Sequence, residues 1–150
     1  MSVRGVDHIS ISVADLAASL RFYHALLEVP VLGEGEEESL EIARALRVPK
    51  ARFRYADLDL GDGRILELLE YIEPRGQSVP RALPDPGIAH VGLSVTDLDG
   101  VVERLARDGR APAFAPVTLS EPSWWAGARV TYVTDPDGAV VELVERPIHR

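Results

Sequence analysis

The chain is built on a repeat. Val6-Asp7-His8-Ile9-Ser10-Ile11-Ser12-Val13-Ala14-Asp15-Leu16 aligns with Ile88-Ala89-His90-Val91-Gly92-Leu93-Ser94-Val95-Thr96-Asp97-Leu98, with His, Ser, Val, Asp and Leu recurring at an offset of 82. Further on, Gly63-Arg64-Ile65-Leu66-Glu67-Leu68-Leu69-Glu70 aligns with Gly138-Ala139-Val140-Val141-Glu142-Leu143-Val144-Glu145 at an offset of 75. Matches in the same order at offsets that differ by 7 define two similar modules, the first with the longer interior. A chain of 150 residues is one domain's worth. The expectation is a single domain over 1–150, with modules at about 1–75 and 86–146.

Each module reads as β-α-β-β-β. Residues 6–13 and 88–95 alternate and are rich in β-branched side chains, which predicts strands. Asp15 and Asp97 then stand where a helix N-cap belongs. Leu16, Leu20, Tyr23 and Leu27 follow at helical spacing, as do Leu98, Val101, Val102 and Leu105, with Gly109 as a stop. Three more strands are predicted near 29–32, 51–60 and 64–72 in the first module, and near 112–118, 128–134 and 139–146 in the second. Gly61-Asp62-Gly63 and Asp135-Pro136-Asp137-Gly138 read as the turns before the closing strands. Residues 34–50 read as an insertion, an acidic Gly/Glu run and then a short helix from Ser39 to Leu46. Pro74, Pro80, Pro84 and Pro86 mark 73–87 as the linker. The fold class expected is α+β, with helices on one face of curved mixed sheets.

Composition narrows the chemistry. Without cysteine there is no disulfide, no thiolate nucleophile and no Cys-ligated metal. A net charge of −8 disfavours nucleic acid and anionic membranes as partners. Arg4, Asp7 and His8 interrupt the first apolar stretch, and no apolar run is long enough to span a bilayer, so a soluble cytoplasmic protein is expected.

Strand parity singles out four residues. His8 shares a face with Ser10 and Ser12, opposite Ile9, Ile11 and Val13; His90 shares one with Gly92 and Ser94, opposite Val91, Leu93 and Val95. The apolar face packs on the helix, so both histidines look elsewhere. Glu67 is flanked at i±2 by Ile65 and Leu69, and Glu142 by Val140 and Val144. A carboxylate on such a face is costly unless a cation neutralises it. Two imidazoles and two carboxylates make a reasonable site for zinc, nickel, cobalt, manganese or ferrous iron. Against this stands the reading of core histidines and solvated strand-end glutamates. The duplication of both types favours the metal. His24 and His149 have no counterpart and read as surface residues, while parity puts Glu70 and Glu145 on the opposite face as solvated charges.

The motifs Asp7-His8-Ile9-Ser10-Ile11-Ser12-Val13 with Asp15-Leu16 and Phe22-Tyr23, then Leu66-Glu67-Leu68-Leu69-Glu70, Ala89-His90-Val91-Gly92, and Asp135-Pro136-Asp137-Gly138 leading to Val141-Glu142-Leu143 resemble the vicinal oxygen chelate superfamily. That superfamily groups glyoxalase I, methylmalonyl-CoA epimerase, extradiol dioxygenases, fosfomycin-resistance enzymes and bleomycin-binding proteins. The resemblance covers nearly the whole chain. It implies paired βαβββ modules forming a cup around one metal, with His8, Glu67, His90 and Glu142 as ligands. The cup can close within one chain or across two, and a homodimer is expected. Glyoxalase and epimerase members use four protein ligands, dioxygenases and fosfomycin enzymes three, and bleomycin-binding members lack the set.

The resemblance therefore implies a divalent-metal-dependent lyase or isomerase acting on a small oxygenated substrate through an enediolate-type intermediate. Glu142 is the first candidate base and Glu67 the second. An Fe(II) extradiol-type dioxygenase and a non-catalytic small-molecule binding or resistance protein are the alternatives. Two departures bear on specificity. Leu68-Leu69-Glu70-Tyr71-Ile72-Glu73-Pro74 stands where glyoxalase I has an Asn-Trp segment, and Asp135-Pro136-Asp137-Gly138 replaces the His-Pro-Lys type turn of epimerases. Tyr132, ten residues before Glu142, has the spacing of a dioxygenase's substrate-binding tyrosine or is a half-buried strand residue. No histidine lies between His24 and His90 to serve as a dioxygenase acid–base. Trp124 and Trp125 form a lid over an apolar substrate or an interface. Arg52, Arg54 and Arg129 either receive an anionic group or are solvated.

Overall fold

The computed structural model describes residues 4–78, 82–120 and 125–147. The chain divides into two compact units, Met1–Val79 and Pro80–Arg150. In the first unit β1 (His8–Ser12), α1 (Leu16–Leu27), β2 (Val31–Glu38), α2 (Leu40–Leu46), β3 (Arg52–Gly61) and β4 (Arg64–Glu73) follow one another. Its sheet has the order β1-β4-β3-β2, with β1 parallel to β4 and the other pairs antiparallel. The second unit runs β5 (Val91–Ser94), α3 (Leu98–Arg107), β6 (Val117–Thr118), β7 (Arg129–Thr134) and β8 (Val140–Glu145), in the order β5-β8-β7-β6 with β5 parallel to β8. The architecture is α+β, two open mixed sheets of four strands, each with a helix after its first strand. No described helix is long and apolar enough to cross a membrane.

The Asp15 side chain accepts from Ala18 N at 2.9 Å and that of Asp97 from Gly100 N at 3.0 Å, so both helices begin on an aspartate cap. Helix α1 buries Ser19, Phe22, Tyr23 and Leu26. The buried stripe is thus turned by about a residue from the leucine spacing, with Leu16, Leu20 and Leu27 left half-buried at its edge. Ala56, Leu58, Leu66 and Leu68 are fully buried on the even-numbered face of β3 and β4. Leu98, Val101 and Leu105 of α3 are buried in the second unit together with Val133, Val141 and Leu143. Each fully buried leucine contributes roughly 1.5–3 kcal/mol.

Three sequence expectations are corrected. The Gly/Glu run is the greater part of β2, paired with β3 from Gly33↔Asp57 to Glu38↔Arg52. Glycine alternates with glutamate there, and Glu36 joins both Arg52 and Arg54 across the strand pair, so cross-strand charge pairing replaces self-repulsion. Strand β6 is only two residues long, not seven. Glu70 and Glu145 are not solvated charges. Leu16 N donates to Glu70 Oε2 at 3.2 Å and Leu98 N to Glu145 Oε1 at 3.1 Å, so the last strand of each unit caps its own helix.

Ser19 is fully buried and its hydroxyl has no hydrogen-bond partner among the described residues. Ser19→Ala is therefore expected to stabilise the protein by about 1 kcal/mol, by removing an unsatisfied polar group and improving helix propensity. A rise in the thermal midpoint of roughly 2–5 °C checks this; an unchanged or lower midpoint refutes it.

Candidate metal centre

The parallel register of β1 on β4 pairs Ser10 with Glu67, and the antiparallel register of β3 pairs Asp57 with Glu67. Side chains opposite one another share a face, so Ser10, Glu67 and Asp57 form one row, with His8 one pleat away on β1. Glu70, on the other parity of β4, reaches the start of α1, which fixes the row on the face away from the helix. His8 is exposed, and its Nδ1 lies 2.8 Å from Asp7 Oδ1. A carboxylate can only accept here, so Nδ1 carries the proton and Nε2 is left as a lone-pair donor for a cation. The Asp7 contact raises the His8 pKa, with burial opposing it and Glu67 and Asp57 adding to it.

The second unit repeats the row. Gly92 pairs with Glu142 and Tyr132 with Glu142, with His90 one pleat away from Gly92. His90 Nε2 lies 3.4 Å from Glu142 Oε2, and the Tyr132 hydroxyl donates to Glu142 Oε1 at 3.1 Å. The Tyr132 ring meets His90 edge-on at 5.9 Å and has Phe114 beside it at 5.9 Å. Burial and the bond to Glu142 raise the Tyr132 pKa, so the phenol stays a donor at neutral pH.

Each unit thus presents one histidine and one glutamate on the face its helix leaves open. Among the described residues no three His, Asp or Glu side chains are grouped closely enough to hold a metal on their own. Each unit offers one imidazole and one carboxylate, donor types that divalent ions take, and among the described residues nothing bonds to His8 Nε2 or donates to Glu67.

The register reveals two residues that sequence reasoning passed over. Asp57 stands in the first unit where Tyr132 stands in the second; the offset of 75 that relates Glu67 to Glu142 also relates this pair. Asp7 orients His8, a role Ala89 cannot play for His90. Burial first, and Glu67 second, raise the Asp57 pKa, with His8 opposing them. A carboxyl raised in the folded state opposes folding once ionised. Asp57→Asn is therefore expected to stabilise the metal-free protein at neutral pH, with the gain vanishing as pH falls below the carboxylate range. Thermal melts of both proteins between pH 3 and 7 check this; a gain that grows toward acid would refute it.

The remaining sequence candidates fall elsewhere. Arg54 lies on the helix side, 3.1 Å from Glu36 and 3.6 Å from Glu70, and Arg52 shares Glu36. Arg129 is bound by Asp99 at 2.6 Å and Glu145 at 2.9 Å. These arginines are neutralised structural groups. Trp125 packs on Ala128, Val130 and Val144, with Arg146 over its ring at 4.0 Å. Val130 and Val144 share the parity of Tyr132 and Glu142, so Trp125 lies against the face that bears them. Trp124 and His149 are outside the described residues.

Two units of βαβββ type, the first with the short α2 inserted after β2 and each with a His/Glu pair on its open face, define a class of paired-module α+β proteins. The model of the Glyoxalase/Bleomycin resistance protein/Dioxygenase superfamily matches residues 5–143, and the chain belongs to that superfamily. A glyoxalase family protein from Bacillus cereus is similar in structure over 97% of this chain and 98% of that one, with a TM-score of 0.79 and 23% identity. A glyoxalase I variant from Zea mays matches over 94% of this chain and 45% of that one, with a TM-score of 0.67 and 16% identity. A genomically encoded fosfomycin resistance protein from Listeria monocytogenes, solved with Mn(II) and sulfate, matches over 97% and 95%, with a TM-score of 0.61 and 15% identity. No curated protein matches the chain.

Proposed function

We propose that the protein is a divalent-metal-dependent lyase or isomerase of the glyoxalase or epimerase kind, in which the two modules act as one domain. His8, Glu67, His90 and Glu142 would hold one Ni, Co, Zn, Mn or Fe ion. The observation that carries this reading is the duplicated register: Ser10↔Glu67 and Gly92↔Glu142 put each histidine one pleat from its glutamate, on the helix-free face of its sheet.

Such an ion would polarise a substrate carbonyl and stabilise the charge of an enediolate. The protein's own groups supply the rest. Glu142, held between the Tyr132 hydroxyl and His90, takes the proton from the carbon beside the carbonyl and returns it. Tyr132 aims that carboxylate, and Glu67 is the second candidate for the same role. Trp125, against the face that bears Glu142, shields the substrate from water. The substrate is a small oxygenated molecule.

Elemental analysis of the purified protein tests the reading. Stoichiometric Ni, Co, Mn or Zn supports it, and turnover of hemithioacetals or acyl-CoA epimers would name the branch. Oxygen-sensitive Fe(II) with turnover of catechols would favour an extradiol-type dioxygenase, for which Tyr132 facing Glu142 is the supporting observation. A metal-free protein that binds a small ligand would favour the non-catalytic binding role. We further propose a cytoplasmic homodimer. Light scattering at tens of micromolar is expected to give the mass of two chains, and a monomer mass would refute the dimer.

A further inference from the structure

The face of the first sheet that bears His8 and Glu67 also bears Asp57, Tyr55, Phe53 and Tyr71, because Tyr55 pairs with Leu69 and Phe53 with Tyr71 across from β4. Phe53 is buried and its ring meets Tyr71 at 5.9 Å. Gly35 opposite Tyr55 allows that ring to lie close over β2, since a Cβ there would stand 3.2 Å from it. At the other end of the Asp57 row, nothing lies within 4 Å of the Cβ position of Gly33. The half-buried Asp57 carboxylate therefore sits between an aromatic platform and open space.

Nothing in the unit explains that charge. Tyr132 in the equivalent place donates to Glu142, whereas Asp57, when ionised, is an acceptor only and gives Glu67 no such bond. Among the described residues it has no hydrogen-bond or ion-pair partner. The three arginines of β1–β4 all have the opposite parity, and their partners are Glu36, Glu70 and Asp62. In the metal-free protein a carboxylate kept half-buried beside another, with no arginine or lysine among the described residues brought to it, is a cost that an asparagine of the same shape would avoid.

We propose that Asp57 is a specificity-determining residue: it accepts a hydrogen bond from a non-anionic donor group of the substrate, an ammonium or a hydroxyl, while the half-buried Tyr55 and Tyr71, backed by the buried Phe53, receive an apolar body. This rests on the metal-site reading for the position of the reacting end. The same face turns away a carboxylate or phosphate at that point, because it offers Asp57 and Glu67 with Asp59 of the same parity two residues on, and no arginine among the described residues. The substrate class is an aromatic or aliphatic oxygenated compound that is neutral or cationic at its far end.

Two matched titrations test it on the full chain. In the metal-free protein, benzylamine is expected to shift the backbone amide signals of Gly33, Asp57 and Tyr71, and benzoate to leave them in place. Asp57→Asn should weaken benzylamine about tenfold, the worth of one charge-assisted hydrogen bond, whereas Glu103→Gln, which removes an exposed charge of the second unit, should not. In the Mn(II)-loaded protein, 4-(aminomethyl)benzohydroxamate should bind about tenfold or more tighter than 4-carboxybenzohydroxamate, with Asp57→Asn collapsing that ratio. Asp57→Asn should leave Mn(II) affinity within about threefold, since it removes no ligand. Equal binding of benzoate and benzylamine, or a ratio unmoved by Asp57→Asn, would overturn the proposal. So would loss of Mn(II) from Asp57→Asn, which would make Asp57 a ligand. If the wild-type protein takes up no Mn(II), the metal reading fails by itself, and the metal-free titration still decides the role of Asp57.

Discussion

Glu67→Gln is expected to lower metal affinity by at least about a hundredfold while leaving the protein folded, because each of four donors supplies one of the few bonds to the ion. The substitution keeps shape and removes charge. Among the described residues nothing donates to Glu67, which faces Asp57 across the strand pair, so the change breaks no hydrogen bond among them. Relief of repulsion between the two carboxylates should make the metal-free variant more stable than the metal-free wild type, a direction opposite to that of ordinary damage. His8→Ala and His90→Ala should lose metal to a similar degree. Isothermal titration with Mn(II) or Ni(II), paired with thermal melts of the metal-free forms, reads both effects. If Glu67→Gln keeps full metal and full activity while His8→Ala and Glu142→Gln lose both, the centre has three protein ligands. The dioxygenase-like or fosfomycin-like reading then moves ahead of the lyase.

Much of this arrangement is visible in the sequence because the repeat writes it twice. The period-2 alternation of Ile9, Ile11 and Val13 fixes which side of β1 meets the helix, and hence where His8 points; Val91, Leu93 and Val95 do the same for His90. Asp15 and Asp97 start helices where a capping aspartate should. What escapes a linear reading depends on register between strands distant in sequence. Glu70 and Glu145 have the parity of the helix side, but only the parallel pairing of β1 with β4 and β5 with β8 brings them to the amides of Leu16 and Leu98. Nothing local to Glu36 announces that one carboxylate will hold two arginines about sixteen residues away. Without those partners the run from Glu34 to Glu38 reads as self-repelling coil rather than an edge strand. Asp57 is the subtlest case. Its kinship with Tyr132 is present at the offset of 75, yet the two residue types differ so much that no motif search joins them. Position in the sheet relates them, and the chemical difference then becomes informative: one unit offers a donor to its glutamate, the other a second acceptor.

That difference separates the two candidate bases. Glu142→Gln is expected to lose about 10²–10⁴ in turnover even where high metal concentration restores occupancy, since an amide cannot take a proton. Tyr132→Phe should act on the same carboxylate more gently. It leaves the charge, removes the 3.1 Å hydrogen bond, and frees Glu142 to turn away from His90. Its expected cost is about ten- to a hundredfold in metal affinity or turnover, the usual worth of a group that orients a ligand. Combining the two substitutions should cost little more than Glu142→Gln alone, because Tyr132 acts through the carboxylate that has already gone. Additive losses in the double variant would instead mean that the Tyr132 hydroxyl meets the substrate directly. Full turnover in metal-saturated Glu142→Gln would move the base to Glu67, whose cross-strand neighbours are Ser10 and Asp57 rather than a tyrosine.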